Sequence, residues 1–343
     1  MDREINVFFT VPRGEIRKQL WTPAASELAR EFGFSVHLNS FEGSPSMDEW
    51  AELLSDADAV ITTWGAPVLG EQVLSRNPGL KIVGHAAGSV ANIVSPYLYD
   101  RGIRVVTANS AMARSVAEWN LMMTFVAARN LLKYASFGSG GHPDSGTRDS
   151  ARSPSELVVG IWGFGDVARH LITMLRPFAP RRFLVHDPYL SEEAAMEFGV
   201  EAVTLEQLVV QSDILHALTG LTAETKGGLD AALLGKMKPG ATLINAGRAA
   251  LIVEAALLEA LRSGRISAIL DVHYREPVRS DDPFVGVPNV IMTPHCAGRP
   301  GRDHYVPLVL REFDRFFRGR PLRHEITRER ALNMTDARLV GRT

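Results

Sequence analysis

The sequence has little of what marks a secreted, membrane or nucleic-acid-binding protein. It holds one cysteine, Cys296, so no internal disulfide can form. No apolar run approaches the roughly 20 residues that a membrane-spanning helix needs, and the start MDREINVFF lacks a basic segment followed by an apolar signal core. The formal net charge of -2 gives no general attraction to nucleic acid or anionic lipid. We therefore expect a cytoplasmic protein whose partners are small molecules, with no nucleic acid and no membrane among them.

Two α/β domains are predicted from the alternation of short β-branched segments with amphipathic ones. With 45% hydrophobic residues, the 343-residue chain is longer than one core usually accommodates. Strands buried on both faces read as continuous apolar runs, and parallel strands need crossover helices between them. Two series of such runs predict two doubly wound parallel sheets: 5–11, 35–39, 59–64, 80–87 and 104–108, then 157–163, 182–187, 213–218, 241–247, 267–272 and 289–294.

Helical segments complete this pattern. Residues 113–133 contain neither glycine nor proline and repeat apolar positions at three and four, which predicts one long helix joining the domains. A shorter helix is predicted over 46–56. The amphipathic segment 302–319 predicts a last helix, in which Pro307 fits only near the first turn or at a kink. Residues 137–156, rich in Gly, Ser and charge, predict a loose loop.

A glycine-rich turn follows the first strand of the second series. Gly163, Gly165 and Ala168 match G-x-G-x-x-G/A between a strand and a helix, where the backbone can approach a pyrophosphate and free helix N–H groups attract it. Asp187 ends the next strand, where a carboxylate accepts hydrogen bonds from adenosine ribose hydroxyls and repels a 2′-phosphate. We therefore predict NAD rather than NADP. The cofactor-binding residues of this turn are Gly163, Phe164, Gly165, Asp166 and Val167, with Asp187 opposite.

Three later segments place reactive groups after predicted strands, the edge at which doubly wound sheets bind ligands. Arg248 follows one strand, Asp271 and Glu276 the next, and His295 the last. Oxidation of a hydroxyl by hydride loss needs a base for the hydroxyl proton, and a keto acid needs a cation for its carboxylate. His295 and Arg248 meet these needs. Taken singly, each of these residues is also compatible with a structural role.

Together these segments resemble the D-isomer-specific 2-hydroxyacid dehydrogenase family over most of the chain. The matching stretches are LKIVGHAAG, ANSAMARSVAEWNL, GIWGFGDVA through HDPYL, MKPGATLINAGR, ALLEALRSGRISAILDVHYREP and TPHCAG. The resemblance implies two Rossmann-like doubly wound domains with the active site in the cleft between them. It implies an NAD-dependent oxidoreductase that interconverts a small D-2-hydroxy acid and its 2-keto acid, and a homodimer.

The resemblance also implies roles for individual residues. Arg248 would bind the substrate carboxylate and carbonyl, His295 would exchange a proton with the substrate oxygen, and Glu276 would hold His295. Asp271 would bind the nicotinamide carboxamide. The backbone of a loop in the first domain would receive the substrate carboxylate. That loop comprises Ala87, Gly88 and Ser89. His216 is given a structural or cofactor-side packing role rather than a catalytic one, and Ala246 is placed on the cofactor side. No metal site is expected.

The predicted domains are a substrate-binding, flavodoxin-like domain of residues 1–112 and 299–332, an NAD-binding domain of 113–298, and a tail of 333–343. The sequence departs from the family at Ala91, Val94 and Ala249, so the substrate side chain stays open. An NAD-sensing protein resembling the C-terminal-binding-protein corepressors is the alternative function. Within the enzymes, oxidation of another small anion such as formate is a further alternative.

Overall fold

The structure, a computed structural model, describes residues 4–41, 43–134, 151–332, 334–335 and 339. Its chain divides into two compact units. The first comprises Met1–Ala113 with Arg299–Ala337, and the second Arg114–Gly298 with Arg338–Thr343. Most of the predicted loop over 137–156 and most of the predicted tail over 333–343 lie outside the described residues.

The first unit is built on a five-stranded parallel sheet of order β2-β1-β3-β4-β5. Its strands are β1 (Ile5–Phe9), β2 (Phe34–Leu38), β3 (Ala59–Thr62), β4 (Ile82–His85) and β5 (Arg104–Thr107). The helices before the long connection are α1 (Glu15–Leu20), α2 (Pro23–Glu31), α3 (Met47–Leu53), α4 (Glu71–Leu74) and α5 (Pro96–Asp100). The chain order changes direction between β1 and β3, which makes this sheet flavodoxin-like.

Local sequence accounts for the helix starts. Ser46 caps α3 and Glu49 bonds back to the Ser46 N–H, forming a capping box. Thr22 caps α2, and Pro23 occupies its first position. Both faces of the sheet are apolar because helices cover them, and the strand residues of β3 and β4 are all buried.

The returning chain contributes a helix and an edge segment to the first sheet. After α6 (Asn109–Ala128), α7 (Leu131–Tyr134) and the second unit come α13 (Tyr305–Phe317) and α14 (Arg328–Leu332). Helix α13 lies directly on β4, where a Cβ on Gly84 would stand 2.2 Å from Val309. Next to β5, the Thr107 N–H donates to the His324 carbonyl at 3.1 Å and the Ile326 N–H to the Val105 carbonyl at 2.8 Å.

The second unit is built on a seven-stranded parallel sheet of order β12-β11-β10-β9-β6-β7-β8. Its strands are β6 (Val158–Trp162), β7 (Arg182–His186), β8 (Glu201–Ala202), β9 (Ile214–Ala217), β10 (Thr242–Asn245), β11 (Ser267–Leu270) and β12 (Val290–Met292). Its crossover helices are α8 (Asp166–Leu175), α9 (Glu192–Phe198), α10 (Leu205–Gln211), α11 (Ala231–Lys236) and α12 (Glu254–Arg262). The order reverses between β6 and β9, the arrangement of a Rossmann fold.

The prediction of two doubly wound parallel sheets is confirmed, with differences at the ends of elements. The long helix begins at Asn109 rather than 113 and ends at Ala128, because Asn130 adopts a left-handed φ of 52°. Pro307 is the third residue of α13, in the first turn, where a missing N–H breaks no intrahelical bond. Among the described helices, none is long and apolar enough to cross a membrane.

Candidate functional site

The turn between β6 and α8 has the shape that a pyrophosphate needs. Gly163 has φ 101°, and a Cβ there would stand 2.7 Å from the Thr219 backbone, so close packing inside the protein already requires glycine. At Gly165 a Cβ would meet nothing within 4 Å, so the space beside this glycine faces outward. No described side chain caps α8, while Ala168 is buried against the sheet. Free N–H groups and open space beside Gly165 therefore fit the dinucleotide's phosphates.

Asp187 lies beside this turn. Its Oδ2 accepts the Phe164 N–H at 2.6 Å and its Oδ1 the Tyr189 N–H at 2.8 Å. A carboxylate offers about four acceptor positions, so others remain for ribose hydroxyls. Phe164 itself is buried, and Asp166 and Val167 form the first turn of α8. The turn and the carboxylate are thus one hydrogen-bonded assembly.

Arg248 follows β10 on a turn that Asn245 holds in place. The buried Asn245 side chain accepts the Gly247 N–H at 3.1 Å and donates to the Arg248 carbonyl at 3.0 Å. Arg248 Nη1 donates to the Gly247 carbonyl at 2.7 Å. Ala246, within the same turn, is half-buried. The sequence analysis did not single out Asn245, although an asparagine ending a strand before a glycine is typical of such turns.

Glu276 and His295 form a hydrogen-bonded pair in the same unit. His295 Nδ1 lies 2.8 Å from Glu276 Oε2, and the His273 N–H donates to Glu276 Oε1 at 3.0 Å. The His295 side chain is 49% exposed and that of Glu276 22%. With Nδ1 engaged, the exposed side of the imidazole presents Nε2. His295 also has a left-handed φ of 49°, a conformation that non-glycine residues seldom adopt.

Electrostatics favour an ionised Glu276 beside a cation. Burial raises the pKa of Glu276, but hydrogen bonds from His295 and the His273 N–H, with the charges of both rings, outweigh it, so the pKa lies below its ordinary value. Burial lowers the pKa of Arg248, and the charge of Glu276 raises it. Arg248 is therefore within electrostatic reach of Glu276, and Glu276 in turn is hydrogen-bonded to His295.

Asp271 is hydrogen-bonded to the segment that carries His295. Its carboxylate is 1% exposed and accepts three hydrogen bonds from the segment that carries His295: from Thr293 Oγ1 at 2.5 Å, the Cys296 N–H at 2.9 Å and the Ala297 N–H at 2.9 Å. These bonds fix the backbone around His295. A carboxylate offers about four acceptor positions, and the role of Asp271 toward the nicotinamide carboxamide stays a prediction.

His216 is also enclosed. Its ring is fully buried, Nδ1 lies 2.9 Å from Asn120 Oδ1, and Nε2 lies 3.1 Å from Thr124 Oγ1. Burial lowers the pKa of His216 to about 3, so the ring is neutral near pH 7. Both nitrogens serve packing of α6 against the sheet, and the side chain has no surface left for a cofactor.

The predicted carboxylate loop lies in the first unit, directly after β4. Thr107 Oγ1 donates to the carbonyls of Ala87 and Gly88 at 3.0 and 2.8 Å. Within the described part of the chain, the N–H groups of Ala87, Gly88 and Ser89 have no hydrogen-bond partner. Engaged carbonyls and free N–H groups give this loop a preference for an anion.

Comparison with known proteins now identifies the chain's family. The model of the D-isomer specific 2-hydroxyacid dehydrogenase NAD binding domain matches residues 121–297. The chain belongs to the D-isomer specific 2-hydroxyacid dehydrogenase family. The glycine turn, Asp187 and the second sheet described above lie inside the matched range, so this unit is an NAD-binding domain of that family.

Relatives and solved structures extend the likeness beyond the NAD-binding unit. A D-3-phosphoglycerate dehydrogenase of Mycobacterium bovis is 30% identical over 264 residues, covering 77% of this chain and 49% of the relative. A glyoxylate reductase of Korarchaeum cryptofilum is 29% identical, covering 83% and 87%. A crystal structure of a phosphoglycerate oxidoreductase from Rhizobium etli superposes with a TM-score of 0.78 at 26% identity, covering 94% and 99%. The chain thus spans about half the length of the first of these relatives.

Besides Asn245, two other residues that shape the site, His273 and Thr293, were not predicted from the sequence. His273 joins the two reactive segments, since its N–H donates to Glu276 and its Nε2 lies 2.8 Å from the Thr293 carbonyl. Its position between Asp271 and Glu276, just after a predicted strand, could have indicated a residue of the site. Thr293 hydrogen-bonds Asp271 from β12 and gave no signal, because threonine in a strand is ordinary. In the described ranges no three His, Cys, Asp or Glu side chains cluster as a metal site.

Proposed function

We propose that this protein is an NAD-dependent oxidoreductase that interconverts a small D-2-hydroxy acid and its 2-keto acid. The observation that carries the proposal is the hydrogen-bonded pair of His295 and Glu276, with one side of the imidazole exposed and Arg248 within electrostatic reach. A histidine held by an ionised carboxylate can give and take a proton near neutral pH, and an arginine binds carboxylates strongly.

Each residue then has a defined task in keto-acid reduction. Bound NADH supplies the hydride. Protonated His295 donates a proton to the substrate oxygen, and Glu276 keeps the ring oriented and favours its charged form. Arg248 binds the substrate carboxylate and carbonyl, which orients the carbon that accepts hydride. In oxidation, neutral His295 accepts the hydroxyl proton instead.

The carboxylate loop supports the same proposal from the first unit. The N–H groups of Ala87, Gly88 and Ser89 are free among the described residues, and the Thr107 hydroxyl engages the carbonyls of Ala87 and Gly88. We assign this loop to the substrate's C1 carboxylate. The names of the relatives, a phosphoglycerate dehydrogenase and a glyoxylate reductase, agree with small hydroxy acids as the substrate class. A homodimer is part of the proposal, and sedimentation analysis tests it.

The test is NADH consumption with glyoxylate, pyruvate, hydroxypyruvate and bulkier 2-keto acids, compared between wild type and His295→Ala. We expect wild-type turnover with at least one of these acids and a loss of about 1,000-fold in the variant, at the scale of a missing general acid, with unchanged NADH affinity. Near-normal turnover of the variant would remove His295 from the mechanism. NADH binding without turnover of any 2-keto acid, coupled to NADH-dependent association, would favour the NAD-sensing alternative.

A further inference from the structure

A half-exposed tryptophan and an arginine form a stacked pair at one edge of the first sheet. Trp64 follows β3 and is 46% exposed. Its ring centroid lies 6.5 Å from that of the fully buried Tyr305, and the Arg302 guanidinium carbon stands 5.0 Å above its ring. Tyr305 begins α13, so Arg302 comes just before this helix. Trp64 and Arg302 are therefore positioned by a buried side chain at the start of a helix.

This pair is on the same edge as the carboxylate loop. Strands β3 and β4 are parallel neighbours, with Thr62 paired to His85 at their carboxyl ends. Trp64 lies two residues beyond Thr62, and Ala87 two residues beyond His85. Neighbouring parallel strands lie about 4.8 Å apart, so the two loops leave the sheet side by side.

The Arg302 guanidinium is only partly hydrogen-bonded within the described residues. Its Nη1 donates to Gln19 Oε1 at 2.8 Å, whereas its buried Nε has no hydrogen-bond partner within the described residues. No described carboxylate forms an ion pair with Arg302 or with the exposed Arg299, although Asp303 is adjacent in sequence. Burial and the charge of Arg299 lower the pKa of Arg302. A cation kept without a counter-ion beside a second cation attracts an anion.

We propose that Arg302, with Trp64 as the wall against which it stacks, recognises a second anionic group of the substrate. The inference rests on the proposed function, because the carboxylate loop and Arg248 then account for the C1 carboxylate and leave Arg302 for another charge. The substrates it selects are 2-hydroxy and 2-keto acids that carry either a second carboxylate or a phosphate ester. Both groups present the same chemistry to a guanidinium, namely oxygens that accept paired N–H donors.

Matched pairs of keto acids test this assignment in the NADH-loaded enzyme. The pairs are 2-oxobutyrate with oxaloacetate, 2-oxopentanoate with 2-oxoglutarate, and hydroxypyruvate with 3-phosphohydroxypyruvate. We expect the charged member to have the higher kcat/KM in at least one pair, which identifies carboxylate or phosphate as the group. Arg302→Gln should lower that charged-to-neutral ratio at least about tenfold, mainly through KM, as expected for a charge-assisted hydrogen bond. Arg302→Lys should retain part of the preference.

Arg30→Gln is the matched control, since Arg30 is an exposed arginine at the end of α2 in the same unit. A wild type that prefers the neutral acids, or a ratio that Arg302→Gln leaves unchanged, would overturn the inference while the proposed function stands. If no keto acid is reduced, the proposed function fails, and the inference about Arg302 is then tested by a binding measurement. Oxaloacetate and 3-phosphohydroxypyruvate are then titrated against NAD-loaded protein by tryptophan fluorescence, with Trp64→Phe to assign the signal. Affinity lost in Arg302→Gln supports the inference, and unchanged affinity refutes it.

Discussion

Glu276→Gln removes one charge from the hydrogen-bonded pair of Glu276 and His295 while preserving its shape. The hydrogen bond to His295 spans 2.8 Å, and the two side chains are 22% and 49% exposed. Unit charges about 4 Å apart attract by about 4 kcal/mol at an effective dielectric constant near 20. Solvent around the half-exposed ring reduces this to about 1–2 kcal/mol. We therefore expect kcat/KM for keto-acid reduction at pH 7 to fall about fivefold to thirtyfold.

The sign of the pH effect follows from the same charge. An ionised carboxylate favours the protonated imidazole, and reduction needs that form as the proton donor. Without the carboxylate the protonated imidazole is less favoured, so the loss of reduction in the variant relative to wild type should grow as pH rises. The depressed pKa of Glu276 keeps it ionised across this window. NADH affinity should not change, because the glycine turn is untouched.

The assay is NADH absorbance with a turned-over keto acid, from about pH 5 to about pH 9, which spans histidine titration. Glu206→Gln is the control, since Glu206 pairs with Lys236 on the surface of the same unit and has no part in the site. A Glu276→Gln profile that superimposes on that of the control would refute the reasoning. It would mean that the Glu276 carboxylate neither orients the His295 imidazole nor favours its protonated form.

Two further predictions concern the NAD-binding unit. Gly165→Ala should fold normally and bind NADH at least about tenfold more weakly, because its Cβ enters only the space proposed for the phosphates. Gly163→Ala should instead lower the unfolding temperature, since its Cβ meets the Thr219 backbone at 2.7 Å. Calorimetry and NADH titration distinguish the two variants, and equal melting temperatures would contradict the packing argument. Asp213→Asn should lower the free energy of unfolding at pH 7 by about 1–3 kcal/mol. Burial raises the pKa of Asp213, but bonds from Arg152, the Val158 N–H and Lys238 bring it below 3.8, so its stabilisation is present above about pH 4 and is lost as pH falls through the depressed value. Urea unfolding at pH 7 and about pH 3 measures how much the free energy of unfolding decreases in acid. This decrease should be smaller in Asp213→Asn than in the wild type, and an equal decrease would refute the stabilising role of Asp213.

Strand positions were predictable because burial on both faces leaves an unbroken apolar run. AVIT of β3 and VVGIW of β6 are fully buried, and each was read as a strand from its residues alone. Strand β8 was not, since Glu201 and Ala202 are exposed and only their pairing with Leu184 and Val185 makes them a strand. A strand defined by its partner leaves no periodic signal in its own residues.

The candidate site was predictable to the level of residue types at strand ends, and no further. Glu276 and His295 are 19 residues apart, and the register of β11 with β12 brings their segments together. Asp271 shows the limit of such reasoning. Nothing in the sequence indicates that its carboxylate accepts N–H groups of the segment that carries His295, which only the structure shows.

The hydrogen bonds from residues 324–326 to β5 have a consequence for the integrity of the first unit. Strand β5 is the last strand of its sheet on that side, and an uncovered outer strand is a template for pairing with another molecule. Residues 324–326 cover part of this outer strand through backbone hydrogen bonds, and an ion pair joins Arg104 of β5 to Glu325. Shortening the protein to end before His324 would therefore favour intermolecular strand addition and aggregation, even with every reactive side chain left in place.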